Sequence, residues 1–298
     1  MAFADPVDRP VFRFAPSPNG DLHLGHALSA LENYRLCQTF GGRFLLRFED
    51  IDVERCSPAF EEQMLDDLHW LGLEWEEPVR RQSDHFDDYQ AAIDTLTDEG
   101  LLYPAFLSRG DVKRMVRASQ ERGEAWPRDP DGAVLYPDIC RLLEPHERTA
   151  NLAAEMPYTL RLNMNDALEV AGTPIYSSRF GSDGGAEEQA ENPALWGDVV
   201  LARKDIHTSY HLSVVVDDAL QGVTHIVRGQ DLEPATAVHR LLQILLGLPA
   251  PAYHHHRLIL DEDGRKLSKS AGDTSLRSLR QAGVTQSDVL RMIGMEQA

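Results

Sequence analysis

The sequence has no apolar run approaching the roughly 18 residues that a membrane-spanning helix needs. Its first ten residues include Asp5, Asp8 and Arg9 and no apolar stretch, so no secretory signal peptide is expected. The three cysteines are widely spaced and odd in number, which excludes a closed set of disulfide pairs and favours a reducing compartment. These absences predict a cytoplasmic globular protein without membrane contact.

Positive charge is also scarce, because 29 basic residues stand against 48 acidic ones and the net charge is −19. Long-range attraction to a phosphate backbone should be weak, so binding to nucleic acid would require local basic patches. Neither a P-loop (GxxxxGK[ST]) nor a GxGxxG segment occurs, so P-loop hydrolysis and dinucleotide redox chemistry lack support. No motif for a nucleophilic serine or cysteine stands out.

The N-terminal part has a regular pattern. Alternating residues 11–15 predict a strand, residues 18–21 a turn with Asp21 as a helix cap, and a stripe from Leu24 to Gly41 a helix. A second strand over 44–48 completes a βαβ unit, for which a parallel sheet is expected. Further helices are predicted over 58–71, 84–99 and 235–246, and the polar run 177–193 predicts a flexible loop.

Two histidines mark the segment HLGH at the start of the first helix. His23 and His26 are three residues apart, so both imidazoles can lie on one helix face, and a helix N-terminus attracts anions. Gly25 removes a side chain where a nucleotide could approach closely. The pattern favours stabilisation of charge on a transferring phosphorus, and the alternative is a capped helix with two solvent-exposed histidines.

A second segment, KLSKS at 266–270, holds two of the only four lysines in the chain. Lys266 and Lys269 follow Gly264 on a predicted loop, and two ammonium groups at this spacing can grip a triphosphate. The alternative is a solvated basic turn.

HLGH and KLSKS, in this order near opposite ends of the chain, resemble the HIGH and KMSKS signatures of class I aminoacyl-tRNA synthetases. In that family the two segments bind ATP and stabilise the transition state of adenylate formation. The resemblance implies catalytic roles for the two histidines and the two lysines. The implied ATP-binding set is His23, Gly25, His26, Lys266, Ser268 and Lys269.

Four further segments, at 13–17, 47–50, 213–218 and 224–229, resemble glutamyl-type synthetases. An acidic substrate side chain favours a bidentate guanidinium, which Arg13 or Arg228 can supply, and Glu49 would receive the substrate ammonium. A purely structural ion pair between Glu49 and one of these arginines is the alternative. The implied glutamate pocket comprises Arg13, Phe14, Ala15, Pro16, Ser17, Glu49, Tyr210 and Arg228.

Full-length members of that family carry a C-terminal anticodon-binding region, and this sequence ends at residue 298. The chain therefore resembles the truncated glutamyl-type paralogues, which use ATP to activate L-glutamate without tRNA and transfer it to queuosine in the anticodon of tRNA(Asp). ATP with Mg²⁺, L-glutamate and queuosine-containing tRNA(Asp) are the implied substrates, and a monomer is expected. The alternatives are an enzyme that charges a tRNA terminus, a nucleotidyltransferase, and a non-catalytic paralogue.

The fold implied is α/β, with a Rossmann-type parallel-sheet catalytic core, an inserted subdomain and a short helical C-terminal extension. The predicted halves of the catalytic domain are residues 1–102 and 196–260. An acceptor-type insert is predicted over 103–195, where periodicity weakens, and the KLSKS loop with the extension over 261–298.

Many truncated paralogues bind zinc in the insert through a Tyr-Pro-Cys-x-Cys segment and a later Tyr-x-x-x-Cys segment. Only Tyr136 and Cys140 of that pattern remain here, and a lone thiolate and a phenol cannot form a tetrahedral site. We therefore expect no metal site, and apolar packing by Phe106 and Leu107 in place of the zinc.

The run of three histidines at 254–256 is not expected to bind one ion, because consecutive residues on an extended segment point to alternate sides. The family resemblance implies that His255 lies near ATP.

Overall fold

The computed structural model describes residues 9–203, 207–260 and 274–295. The described strands are β1 (Val11–Phe14), β2 (Arg43–Phe48), β3 (Glu76–Arg81), β4 (Leu102–Ala105), β5 (Thr159–Leu162), β6 (Ile175–Phe180), β7 (Ala186–Glu191), β8 (Val200–Arg203), β9 (His225–Gly229) and β10 (Ala252–His256). The described helices are α1 (Leu24–Thr39), α2 (Pro58–Trp70), α3 (Phe86–Asp98), α4 (Arg109–Glu121), α5 (Pro145–Ala153), α6 (Met164–Ala171), α7 (Tyr210–Leu220), α8 (Thr236–Leu245), α9 (Leu276–Gln281) and α10 (Gln286–Met292).

A seven-stranded sheet, in the order β3-β2-β1-β9-β10-β6-β7, forms the centre of the fold. β1 pairs in parallel with β2 on one side and with β9 on the other, so the predicted βαβ unit is confirmed. All neighbouring strands of this sheet run parallel except β6 and β7. The expected α/β fold with a Rossmann-type, mainly parallel core is therefore confirmed.

Strand β1 shows why the sheet needs helices on both faces. Successive side chains of a strand point to opposite sides, so Phe12 and Phe14 enter an apolar core with α1 and α2. Arg13, between them, points the other way and pairs with Asp218 of α7. A second large core on that side is formed by α3, α7, α8 and the small sheet. The site therefore lies in a sheet that is buried on both faces.

The polar run 177–193, predicted as a flexible loop, forms most of the antiparallel hairpin β6–β7, and that prediction was wrong. The inward side chains of β6 include Ser177 and Arg179, which are buried because both contact Glu191 of β7. A strand whose buried face is polar lacks the apolar alternation that identifies strands in a sequence.

A second difference concerns the start of α1. His23, and not Asp21, is the N-cap, because its ring accepts a hydrogen bond from the backbone of Gly25. The Asp21 carboxylate instead accepts a hydrogen bond from Gln63 of α2.

A three-stranded antiparallel sheet has the order β4-β5-β8. β5 lies within the predicted insert of residues 103–195, whereas β4 begins at its boundary and β8 lies beyond it. The proposed domain divisions remain predictions. The hairpin β6–β7, although from the same stretch of sequence, extends the large sheet. None of the helices in the described ranges has the length and apolar character that crossing a bilayer requires.

Candidate active site

The imidazole rings of His23 and His26 cap the first turn of α1 by accepting hydrogen bonds from its backbone N–H groups. The His23 Nδ1 accepts a hydrogen bond from the Gly25 backbone at 3.1 Å, and the His26 Nδ1 accepts one from the His23 backbone at 3.2 Å. A neutral imidazole has one acceptor nitrogen, so both rings must carry their proton on Nε2. The rings lie 3.9 Å apart between centroids and His23 is buried, which excludes two freely solvated histidines. The cap thus presets two Nε2–H donors.

Gly25 is required by this cap as much as by a ligand. A β-carbon at this position would lie 2.9 Å from Cε1 of the His23 ring. Any larger residue would displace that ring, so the absent side chain keeps His23 in its capping position.

A cavity of about 340 Å³ opens beside the histidines at the carboxyl ends of β1, β2 and β9. This is where open parallel sheets bind ligands. His26 of HLGH lines the cavity together with every residue predicted for the glutamate pocket. These are Arg13, Phe14, Ala15, Pro16, Ser17, Glu49, Tyr210 and Arg228. Two groups of residues predicted from distant parts of the sequence therefore meet in one cavity.

On the β1 and β2 side of the cavity, the arginines are bound to carboxylates. The Arg13 Nε lies 3.0 Å from Oδ1 of Asp218, and Arg47 of β2 donates to the same oxygen at 2.9 Å. Arg47 also contacts Glu49 at 3.2 Å. Glu49 thus has an ion-pair partner, but it is Arg47 and not one of the two arginines considered from the sequence.

The electrostatics of this side follow from burial and pairing. Burial raises the pKa of Glu49 above its usual value, and the charges of Arg47 and Arg13 only partly oppose this effect. Burial would also raise the pKa of Asp218, but Arg13 and Arg47 hold it below its usual range. Burial likewise raises the pKa of the Tyr210 hydroxyl, so this group stays protonated. Glu49 is consequently the acid of the cavity whose charge is least stabilised.

On the β9 side, Arg228 has a different environment. It is buried, and its guanidinium donates hydrogen bonds to Thr236 (2.7 Å), His239 (3.0 Å) and His255 (3.2 Å). Among the described residues no carboxylate lies within ion-pair distance of Arg228. Of the two arginines proposed for an acidic substrate group, Arg228 is the one whose charge is not already neutralised.

A second cavity, of about 250 Å³, adjoins the first and shares Ser17, Asn19, Glu49 and Tyr210 with it. It extends towards Arg203 and Thr208. The two cavities together can hold a substrate on one side of Glu49 and a second group on the other.

Several residues of this site were missed by the sequence predictions, namely Arg47, Asp218, Thr236 and His239. Arg47 had a usable signal, because it interrupts the apolar strand around Leu46 and Phe48 and a fully buried arginine requires an anion nearby. Asp218 ends an apolar helix and had the same kind of signal. Thr236 and His239 had none, because short polar residues are common on helices.

Lys266, Ser268 and Lys269 lie outside the described residues, so their roles remain predictions. His255 contacts Arg228 and Arg179 on the β9 side of the cavity, and its expected position near ATP remains a prediction. Its neighbours in the run face elsewhere: His254 contacts the carbonyl of Phe180, and His256 that of Arg257.

The residues present in the insert do not fit a zinc ion. Cys140 is the one thiol there, and its sulfur contacts the Tyr136 hydroxyl at 3.1 Å and the Phe106 amide at 3.3 Å. Phe106 and Leu107 pack against the buried cluster of Tyr103 and Cys140, as predicted. Within the described ranges, no group of three His, Cys, Asp or Glu side chains is arranged to hold a metal ion.

Comparisons with known proteins agree with this geometry. The model of the family "tRNA synthetases class I (E and Q), catalytic domain" matches residues 11–296. A glutamyl-Q tRNA(Asp) synthetase of Rhodobacter capsulatus is 45% identical over 96% of this chain and 100% of its own length. One of Symbiobacterium thermophilum is 39% identical over 93% of this chain and 83% of its own length.

The chain is also similar to longer proteins. A glutamate–tRNA ligase of Aquifex aeolicus is 35% identical over 91% of this chain, which spans 54% of that ligase. The crystal structure of a glutamate–tRNA synthetase from Elizabethkingia anophelis superposes with a TM-score of 0.71 at 29% identity, over 89% of this chain and 53% of that one. The chain therefore belongs to the class I tRNA synthetases of the E and Q family and is a ligase of the aminoacyl-tRNA synthetase type.

Proposed function

We propose that this enzyme activates L-glutamate with ATP as glutamyl-adenylate, without tRNA, and transfers the glutamate to queuosine in the anticodon of tRNA(Asp). The observation that carries the proposal is the single cavity in which His26 of HLGH, Glu49 and the unneutralised Arg228 meet. The names of the Rhodobacter capsulatus and Symbiobacterium thermophilum relatives support the choice of acceptor.

In the proposed complex, the side-chain carboxylate of glutamate binds Arg228 and its ammonium binds Glu49. A guanidinium has five N–H donors, and three of those of Arg228 are used by protein groups. Two donors are enough for a bidentate carboxylate. The Tyr210 hydroxyl and the loop of residues 14–17 complete the enclosure.

For the activation step, an oxygen of the α-carboxylate attacks the α-phosphorus of ATP. The new P–O bond forms as the bond to the β-phosphate breaks and pyrophosphate leaves. The Nε2–H donors of His23 and His26 face the developing negative charge, which preset donors stabilise by about 3–4 kcal/mol each in comparable sites. Mg²⁺ would accompany ATP as part of the substrate and would help to neutralise the charge of the phosphates.

Lys266 and Lys269 are proposed to bind the phosphates. Ser275, six residues after Lys269 in the sequence, pairs with His23, and the Leu276 amide donates to the carbonyl of Leu22 at 2.7 Å. The chain that follows KLSKS is thus attached beside HLGH, which supports a joint role for the two segments.

The transfer step would use the second cavity. A hydroxyl of the acceptor nucleoside attacks the adenylate carbonyl, a new ester forms, AMP leaves, and the hydroxyl proton is released. The position of this cavity across Glu49 from the first supports such an approach.

Activation is tested by ATP–pyrophosphate exchange with each of the amino acids in the absence of tRNA. Exchange with L-glutamate alone is the expected result. Replacement of Lys269 by Ala should lower the exchange rate at least about tenfold. Exchange without glutamate dependence, or a Lys269→Ala variant with normal rates, would contradict the proposal.

The acceptor is tested with labelled glutamate and total tRNA from cells with or without queuosine. Label only in the queuosine-containing preparation is expected. Equal label in both would instead support charging of a tRNA terminus, the activity named for the Aquifex aeolicus relative.

A further inference from the structure

Among the described residues, the hydrogen-bond partners of Arg228 are all uncharged, although the side chain is a buried cation. Its three hydrogen-bond partners are a hydroxyl, Thr236, and two imidazoles, His239 and His255. Burying an ion without a counterion is costly, and proteins usually pair such a group, as Arg13 is paired with Asp218 in this cavity. The missing counterion at Arg228 is therefore a property that needs an explanation.

A chain of hydrogen bonds holds His239 neutral. Its Nδ1 faces an Arg228 nitrogen at 3.0 Å, and its Nε2 faces the Nδ1 of His211 at 3.2 Å. If Nδ1 accepts from Arg228, the proton lies on Nε2, which can then donate to His211. A proton added to Nδ1 would point at the guanidinium. Burial, and next the charge of Arg228, lower the pKa of His239 far below its usual value.

His255 is held neutral by its position between two arginines. Its Nε2 accepts a hydrogen bond from Nε of Arg228 at 3.2 Å. Its Nδ1 lies 2.6 Å from a nitrogen of Arg179, and because a neutral ring has one acceptor nitrogen, this second contact is a close approach and not an accepted hydrogen bond. A third positive charge here would be repelled from both sides. Burial and these two charges lower the pKa of His255 to about 2. Arg179 has its own counterion, because it contacts Glu191 at 2.7 Å.

We propose that His239 and His255 are positioning residues that make Arg228 selective for a carboxylate. Their neutral ring nitrogens accept hydrogen bonds from the Arg228 N–H groups that face the protein. These bonds fix the position of the guanidinium without neutralising its charge, which remains available to the substrate. The inference rests on the proposed function, in which the glutamate side chain is that substrate group.

The physical basis is the difference between glutamate and glutamine. A carboxylate can neutralise Arg228 and accept from both remaining donors, whereas an amide offers one acceptor, no charge, and an NH₂ group that faces other donors. A carboxylate placed on the protein side would neutralise Arg228 before the substrate arrives. It would weaken the binding of glutamate much more than that of glutamine.

The test uses two variants of equal size, His239→Asn and His239→Asp. Both place an oxygen close to the position of Nδ1 and both lose the contact with His211, so they differ in charge alone. Ile244→Glu adds a carboxylate to an exposed position of the same helix and serves as the control. For each protein we would measure the KM for glutamate in the exchange reaction, the KI for L-glutamine as a competitor, and the melting temperature.

We expect His239→Asp to raise the KM for glutamate about thirtyfold while the KI for glutamine changes less than about threefold. His239→Asn should keep the ratio of the two constants within about threefold of the wild-type ratio, and Ile244→Glu should keep both constants within about threefold. A change in the shape of the pocket would weaken the binding of glutamate and of glutamine together. The ratio of the KM for glutamate to the KI for glutamine therefore distinguishes an effect of charge from an effect of structure.

The inference is overturned if folded His239→Asp keeps the wild-type ratio of the two constants, or if His239→Asn loses as much selectivity as His239→Asp. Should His239→Asp fail to fold, His255→Asp provides the second measurement, because it also places a carboxylate beside Arg228, with an expected rise in the KM for glutamate of about tenfold and a smaller change in the KI for glutamine. An unchanged KM in that variant also overturns it. A wild-type enzyme that shows no glutamate-dependent exchange would contradict the proposed function instead.

Discussion

The two sides of the cavity each contain a buried arginine, but the partners of these arginines differ in charge. On the β1 side, Arg13 shares the carboxylate of Asp218 with Arg47, and the charges nearly balance. On the β9 side, Arg228 is held by neutral groups and keeps its charge. The first arrangement holds Glu49 through Arg47, whereas the second leaves the charge of Arg228 without a carboxylate partner among the described residues. Burial alone does not distinguish a structural arginine from a binding one, but the charge of its partners does.

The largest expected effect comes from removing the unneutralised charge. Arg228→Gln should lower kcat/KM for glutamate in the exchange reaction about 300-fold, because a bidentate pair with a charged group is lost. Arg240→Gln, which alters an arginine on α8 outside the cavity, should change it less than about threefold. Equal losses in the two variants would contradict the assignment of the side-chain carboxylate to Arg228.

Next in size is the loss of the shared counterion. Asp218→Asn should lower the free energy of unfolding by about 3 kcal/mol, because two buried arginines lose their common carboxylate. Urea denaturation measures this effect. Asp88→Asn, at a half-exposed ion pair with Arg80, should lower it by less than about 1 kcal/mol. A stable Asp218→Asn variant would mean that the balanced side does not carry the stability assigned to it.

Glu49 provides a test within the balanced side. Because its pKa is raised, Glu49 becomes protonated as the pH falls through that pKa. The neutral carboxyl group should then bind the ammonium group of the substrate more weakly. Glu49→Gln should lower kcat/KM for glutamate at least about tenfold and abolish the decline on the acid side of the pH profile. Glu76→Gln, at a surface pair with Arg43, should retain the wild-type profile. If the decline of kcat/KM on the acid side of the pH profile is unchanged in Glu49→Gln, another titrating group causes that decline.

The smallest effect concerns acid stability. The pKa of His211 is lowered to about 4, mainly by burial and next by Arg228, and that of His239 is also lowered. Since their unfolded values are near 6.5, the unfolded chain binds protons first, and stability is present above pH 6.5 and lost as the pH falls towards 4. Between about pH 6.5 and pH 4, replacing His239 by Asn should reduce the slope of the unfolding free energy plotted against pH by about 1.4 kcal/mol per pH unit.

The exposed His146 provides the control for this measurement, because its replacement by Asn should leave the slope unchanged. A slope that is the same in wild type and His239→Asn would show that the buried histidines do not account for acid sensitivity.

The sequence was most informative where local chemistry and function coincide. The β1–α1–β2 unit has alternating apolar residues and a helix start, so its fold and the position of HLGH could be predicted. The residues predicted from family resemblance to bind glutamate line one cavity, and their binding of glutamate stays a prediction. Periodicity alone could not have brought Tyr210 and Arg228 to Arg13, because their proximity depends on strand order.

The failures have physical causes as well. The β6–β7 hairpin buries ion pairs rather than apolar side chains, so its pattern resembles a loop. The counterions of the arginines join residues about 200 positions apart, which no local signal in the sequence records.

The cap of α1 limits how the HLGH segment can change. Because His23 and His26 each use Nδ1 as an acceptor at the start of the helix, folding alone fixes the proton of each neutral ring on Nε2. A side chain that replaces either histidine must supply an acceptor at the position of Nδ1 to keep the cap. The tautomer of both rings is therefore set by the helix start and not by a ligand.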